Sequence, residues 1–245
     1  MTDQIHTDEQ ADAAATRSEP MHAIPVLHGH REAYDRALGE IQAEIVQMGE
    51  YVEEAVRTAT EAMQGHDAEL AERVIHDDQR INEIQERISE LITMVIATQQ
   101  PVARDLRYLL ALDRVAHELE RMGDHAGSVA KQVRKLAQQP PLRRYVFLPR
   151  MGELVAGMVH DIIGALVDVD EARARGVASR DDEVDRLYHA SFDVVLDLMR
   201  TDPDNVDRGT RILFAAHYLE RIGDRVTNIA EDVLFLAGGV VEDLN

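Results

Sequence analysis

One helical phrase occurs twice in this chain. "HELERMGDHAGSVA" runs from His117 to Ala130, and "HYLERIGDRVTNIA" from His217 to Ala230, 100 positions later. Ala116, His117, Leu119, Glu120, Arg121, Gly123, Asp124, Ala130 and Val133 recur as Ala216, His217, Leu219, Glu220, Arg221, Gly223, Asp224, Ala230 and Val233. Upstream, "MGEYV" at Met48–Val52 returns as "MGELV" at Met151–Val155, and Asp78 and Ile81 return as Asp181 and Val184, at a shift of 103. Coincidence does not give two matches in the same order at nearly the same shift. The chain is one unit built twice.

The unit is helical. Leu38, Ile41, Ile45, Met48, Val52, Val56, Ala59 and Met63 are spaced by threes and fours, the period of one helix face. "QGHD" ends that run. Val74, Ile81, Ile84, Ile88, Leu91 and Val95 form a second run, stopped by Pro101. Leu106, Leu109, Val115, Leu119, Met122, Ala126, Val129 and Val133 form a third, closed by Pro140 and Pro141. Alternation at the strand period is absent. Short connections make successive helices antiparallel neighbours. The expected fold is therefore all-α: two tandem three-helix bundles related by internal duplication. The first spans 29–139 and the second 140–245. Residues 1–28 are expected to form a disordered acidic tail, because they carry almost no bulky apolar side chains.

Charge and composition remove several function classes. The formal net charge is −20, whereas coating nucleic acid needs a basic face; no nucleic-acid partner is expected. Such a field attracts cations and basic protein surfaces. With no cysteine in the chain, disulfides, thiolate catalysis and zinc-finger sites are out. Apolar runs are too short for a transmembrane segment, and the N-terminus lacks the basic start and apolar centre of a secretory signal. A cytoplasmic protein is expected. No nucleophile elbow or phosphate-cradling glycine loop occurs, so the chain is expected not to be an enzyme.

The repeated acids are the candidate site. On a wheel of 100° per residue, Glu120 and Asp124 fall away from the apolar stripe, and Glu220 and Asp224 do the same. The pairs are therefore expected on an outer face. Acids four apart on a helix repel by about 0.2–0.5 kcal/mol. A mid-helix glycine such as Gly123 or Gly223 costs about 1 kcal/mol against alanine. Both costs recur at equivalent sites, which argues against an ordinary solvated face. A glycine there leaves room for a ligand or a close helix. The middle helix of each unit offers further oxygens, Asp78 and Asn82 in the first copy and Asp181 and Asp185 in the second. Four oxygen-bearing side chains per copy suit Mg, Mn, Fe or Zn, and spacing does not choose among them. His117 and His217 read as surface histidines, with a nitrogen ligand as the alternative. Arg121 and Arg221 read as neutralising partners of the acids.

"LERMGD", "LERIGD", the trailing "NIAED", and "QQPVARDLR" at Gln99–Arg107 resemble the PhoU family of phosphate-transport regulators from about Tyr34 to Gly239. The resemblance implies two bundles with quasi-twofold symmetry and surface metal centres, iron or zinc in some members. It places the metal motif on Glu120, Asp124, Glu220, Asp224, Asp181 and Asp185, with Asp78 matching and Asn82 standing where an acid is expected. It further implies an oligomer, commonly a dimer, peripheral to the membrane through its partners. Those are the ATPase of the phosphate ABC transporter and the sensor histidine kinase of the phosphate response. The implied role is to restrain phosphate uptake and the starvation response. Asn82, and Ser128 and Lys131 opposite Asn228 and Glu231, make the first site less negative than the second. The rival readings are a ferritin-like di-iron protein and a metal-free helical scaffold. Di-iron chemistry uses Glu-x-x-His pairs in a bundle core, and within the two expected bundles, from residue 29 onward, no Glu has a His three positions later.

Overall fold

The apolar steps from Leu38 to Met63 lie in one helix of 40 residues, α1 (Val26–Gly65). Its buried stripe is Tyr34, Ile41, Ile45, Met48, Val52, Val56, Ala59 and Met63. The computed structural model describes residues 26–142, 147–238 and 244. The expected acidic tail lies outside these residues except at 26–28, which belong to α1 rather than to a tail. A helix already anchored through Tyr34 extends readily over polar positions, because each added residue brings its own hydrogen bond once the nucleus exists.

Asp67 caps α2 (Ala68–Gln99), its carboxylate accepting from the amides of Glu69 and Leu70. The helix ends at Gln100, in the left-handed region at φ 49°, just before Pro101. Next comes α3 (Arg104–Leu136), then α4 (Phe147–Asp168). Asp170, the repeat counterpart of Asp67, caps α5 (Glu171–Ala178). After α6 (Asp181–Thr201) and a 3-10 turn at Pro203–Asn205 comes α7 (Val206–Gly238). Among the described residues every regular element is a helix. No described helix is long and apolar enough to cross a membrane.

One element departs from the expected triplet. The middle helix of the second copy is two helices, α5 and α6, where α2 runs unbroken. Ser179 Oγ donates to the Gly176 carbonyl at 2.9 Å, and the Arg180 amide turns back to the Val177 carbonyl. These local bonds offer the backbone an alternative to the helical ladder. Arg180 is then held by Asp161 of α4 at 2.7 Å.

The two copies pack side by side through α1 against α4 and α3 against α7, and share one continuous apolar core. A quasi-twofold axis relates them, and paired contacts reveal it. Gly49 of α1 lies against Ile163 of α4, while Gly152 of α4 lies against Thr60 of α1. Each contact maps onto the other at the shift of 103. Likewise Arg225 approaches Glu118 at 3.4 Å, while the rings of Tyr218 and His125 stack at 5.9 Å. Those pairs map at the shift of 100, so α3 and α7 run antiparallel. The repeated "MGE" is thus explained by the α1–α4 crossing, where a side chain would hold the helices apart.

The crossing sets an expectation for stability. A Cβ on Gly152 would stand 2.6 Å from Thr60 Cγ2 and 2.8 Å from Thr60 Cβ, so Gly152→Ala forces buried helices to shift and should lower stability by about 1–3 kcal/mol in urea unfolding. Gly39 has open space around its Cβ position, so Gly39→Ala should raise stability by up to about 1 kcal/mol.

Candidate metal centres

Glycine decides where the acids sit. A Cβ on Gly123 would fall 2.8 Å from Ile81 Cδ1 and 3.2 Å from Asp78 Oδ1. A Cβ on Gly223 would overlap Asp181 Oδ1 and stand 3.6 Å from Val184 Cγ1. In both copies the missing side chain lets the middle helix approach the last helix and places an aspartate in the space. Glu120 and Asp124 flank Gly123 on this side of α3, and Glu220 and Asp224 flank Gly223 on α7.

The expected outer face is therefore a groove between helices. The Glu220 side chain keeps only 20% of its exposure and Asp224 26%; Glu120, Asp78, Asn82 and Asp181 are half-buried, while Asp124 and Asp185 are exposed. The wheel misplaces them because α7 packs against α3, α4, α5 and α6. Little of its circumference is left for water.

Among the described residues, several of these oxygens have no hydrogen-bonding partner. Asp78 Oδ1 and Asn82 Oδ1 are buried and unpartnered in the first copy, Asp181 Oδ1 and Glu220 Oε2 in the second. Such groups cost free energy unless a donor, a proton or a cation reaches them. In the second copy burial, with Asp185, Asp224 and Glu220 nearby, pushes Asp181 up to about 7. Burial, with Asp224 and Asp185, pushes Glu220 up to about 7 against Arg221 and His189. Asp224 is raised by burial, with Arg221 opposing. In the first copy burial raises Asp78 and Glu120, in each case aided by Asp124. There Lys131 offsets the rise of Asp78.

Basic side chains of the same helix take part of the load. Arg221 Nη1 donates to Asp224 Oδ2 at 2.7 Å, the neutralising contact expected of it. His217 Nδ1 stands 3.4 Å from Glu220 Oε2 without forming a hydrogen bond to it, and its ring lies 6.2 Å from that of Tyr188. His117 is exposed and its Nδ1 lies 2.8 Å from the Asp113 carbonyl. As the side chains stand, no three His or carboxylate groups among the described residues meet at one centre. An incoming ion would have to compete with Arg221 for Asp224. A cavity of about 480 Å³ opens beside Asp181, Asp185 and Asp224, with Leu244 on its rim, so the second group is reachable from solvent.

The seam between copies carries residues that the motif search did not single out. Arg225 and Asn228 both approach Glu118 Oε2, and Arg114 pairs with Asp232. Burial, with Arg225 and Arg221 nearby, pushes His125 down to about 4, so it sits neutral in the seam. The available signal was that Glu118 and His125 stand where the second phrase has Tyr218 and Arg225.

Fold and site together define a class: a doubled three-helix bundle with a half-buried carboxylate group at the glycine of each repeat. The PhoU domain model matches residues 45–133 and again 148–233. The chain is 36% identical over 216 residues to a phosphate-specific transport system accessory protein PhoU homologue of Clostridium acetobutylicum, covering 88% of this chain and 99% of that protein. A homologue with the same description from Caulobacter vibrioides is 38% identical over 205 residues, 83% of this chain and 89% of that one. The crystal structure of PhoU from Pseudomonas aeruginosa superposes with a TM-score of 0.82 at 33% identity, covering 84% of this chain and all of that one. That of the Streptococcus pneumoniae phosphate transport system regulatory protein PhoU gives 0.79 at 30% identity, over 86% and 99%. The chain belongs to the PhoU family.

The raised carboxyls fix a pH dependence for the metal-free protein. Between the ordinary carboxylate value of about 4 and about 7, folded Asp181 and Glu220 hold protons that the unfolded chain has released. Their contribution favours the folded state at the low end of that window and is lost as pH rises through about 7. The urea midpoint of the native chain should therefore fall more steeply from about pH 5 to about pH 8 than that of Asp181→Asn/Glu220→Gln. Parallel curves would show that neither carboxyl is perturbed.

Proposed function

We propose that this chain is a non-catalytic accessory protein of a phosphate-specific transport system. It docks on the ATPase of a phosphate ABC transporter and on the sensor histidine kinase of the phosphate response, at the cytoplasmic side. There it restrains uptake and the starvation response while phosphate is plentiful. The observation that carries this reading is the double match to the PhoU domain, with relatives of that description aligned over nearly their whole length. The working unit is a homo-oligomer, most simply a dimer.

The carboxylate groups are read as metal sites, for iron or zinc before magnesium or manganese. Glu220, Asp224, Asp181 and Asp185 would hold the ion in the second copy, and Glu120, Asp124, Asp78 and Asn82 in the first. The unpartnered buried oxygens support this, since a hard or borderline cation satisfies such donors. When bound, the ion supplies positive charge that relieves the repulsion among the acids and ties the middle helix to the last one. The second copy is the stronger site: it has four acids where the first has Asn82 and a nearby Lys131. A ferritin-like di-iron centre is less well supported, because these acids lie in lateral grooves between helices rather than in a four-helix core. The metal-free scaffold shares the fold and is separated only by metal content.

Tagged protein recovered from cells grown at high phosphate should bring down the transporter ATPase or the kinase, and carry iron or zinc. Asp224→Asn should carry clearly less metal than the native chain while staying folded by circular dichroism. Recovery of neither partner would overturn the regulatory reading, and unchanged metal content in Asp224→Asn would favour the scaffold.

A further inference from the structure

The two copies differ most usefully in the groove between the first and middle helices. In the second copy that groove, between α4 and α5, is filled by the chain's own arginines. Arg180 Nη1 donates to Asp161 Oδ2 at 2.7 Å and Nη2 to the Leu154 carbonyl at 3.4 Å. Arg173 Nη2 donates to Asp161 Oδ1 at 3.4 Å. Both guanidinium groups lie across glycines of α4. A Cβ on Gly157 would stand 2.9 Å from Arg180 Nη2, and one on Gly164 2.6 Å from Arg173 Cζ.

At the shift of 103 the first-copy counterparts are Glu54 for Gly157, Thr58 for Asp161, Glu61 for Gly164, Leu70 for Arg173 and Asp77 for Arg180. Both arginines are gone and two glycines have become acids. The same space is now an open cavity of about 230 Å³ between α1 and α2. Its floor is apolar, formed by Tyr51, Ala55, Leu70 and Val74, and Glu54 and Glu61 stand exposed on its rim. Among the described residues neither glutamate makes a hydrogen bond or ion pair. The rim has cations of its own on α2, but Arg80 reaches only Asp77, at 3.8 Å, and Arg73 forms no ion pair among the described residues.

We infer that this open α1–α2 groove receives an arginine side chain presented by a partner protein. The occupant would play the part that Arg173 and Arg180 play within the second copy. The filled copy shows that this helix pair accepts guanidinium groups over its first helix. In the first copy Glu54 and Glu61 stand where Gly157 and Gly164 make that room, and Thr58 replaces Asp161, so an incoming group would meet these glutamates from the cavity beside them rather than lie over a glycine. The lining supplies the complement. An apolar floor suits the aliphatic stem of a long basic side chain, and two unpaired carboxylates suit its charged end. Arginine fits better than lysine, because its planar fork is weakly hydrated, stacks on an aromatic face such as that of Tyr51, and bonds to carboxylates in pairs. The chain's net charge of −20 draws a basic surface towards the groove before contact.

The test titrates the isotope-labelled full chain with N-acetyl-argininamide, and separately with the lysine analogue, while following backbone amide resonances. Saturable shifts should be confined to residues facing the groove on α1 and α2, and the second copy, whose groove is filled, should stay silent. The lysine analogue should bind several-fold more weakly. Glu54→Gln/Glu61→Gln should weaken arginine binding about ten-fold or more, the usual loss when charged hydrogen-bond acceptors are neutralised. Glu86→Gln/Glu90→Gln, elsewhere on α2, should not. Both pairs are solvent-exposed, so folding is retained. Shifts scattered over the acidic surface, equal response to lysine, or no effect of Glu54→Gln/Glu61→Gln would overturn the inference. So would a change of oligomeric state in that variant by sedimentation, which would make the occupant a second copy of the chain.

Discussion

Two helices approach most closely where one of them lacks a side chain, and this fold uses that rule where α1 meets α4 and where each last helix meets its middle helix. Gly49 and Gly152 bring α1 and α4 together across the quasi-twofold axis, and Gly123 and Gly223 bring each last helix onto its middle helix. At the second pair the space goes to a carboxylate, that of Asp78 or Asp181, not to an apolar group. An acid held in a crossing of this kind must keep a proton, find a cation, or stay unsatisfied. The perturbed carboxyls, the unpartnered oxygens and the ion pair from Arg221 all follow from that placement.

Much of this was legible in the chain before any coordinates. The apolar steps gave three long helical runs, and the two shifts showed that a second set repeats them. The motif phrases pointed to the PhoU family, to which the chain belongs. The repeated glycines marked the places where each last helix meets its middle helix. What a single-helix wheel could not show was burial. It assigns one apolar face per helix, whereas α7 touches four neighbours, so Glu220 lies in a groove rather than in water. The break between α5 and α6 was also hidden, because it rests on Ser179 turning back on Gly176 and on Arg180 reaching another helix. The pairings Glu118–Arg225 and His125–Tyr218 depend on how the copies dock, which no local pattern records.

Duplication allowed the copies to diverge around a shared frame. The crossings are kept, while the charge around them is not. The first acidic group has Asn82 and the influence of Lys131, and the second has Asp185 and Glu231. The second copy closes its α4–α5 groove with Arg173 and Arg180, and the first leaves its own open. A chain built from two copies of one unit has become one with a more acidic group in its second copy and an open groove in its first, on a common core.

The most direct measurement is the thermal unfolding midpoint of the metal-free chain with and without added zinc or ferrous ion, for the native protein and for Asp181→Asn. A ligand that binds only the folded state raises its stability by mass action. The account predicts a clear rise in midpoint for the native chain and a clearly smaller one for Asp181→Asn, which keeps only the weaker first group. Equal rises in both, or no rise in either, would contradict it.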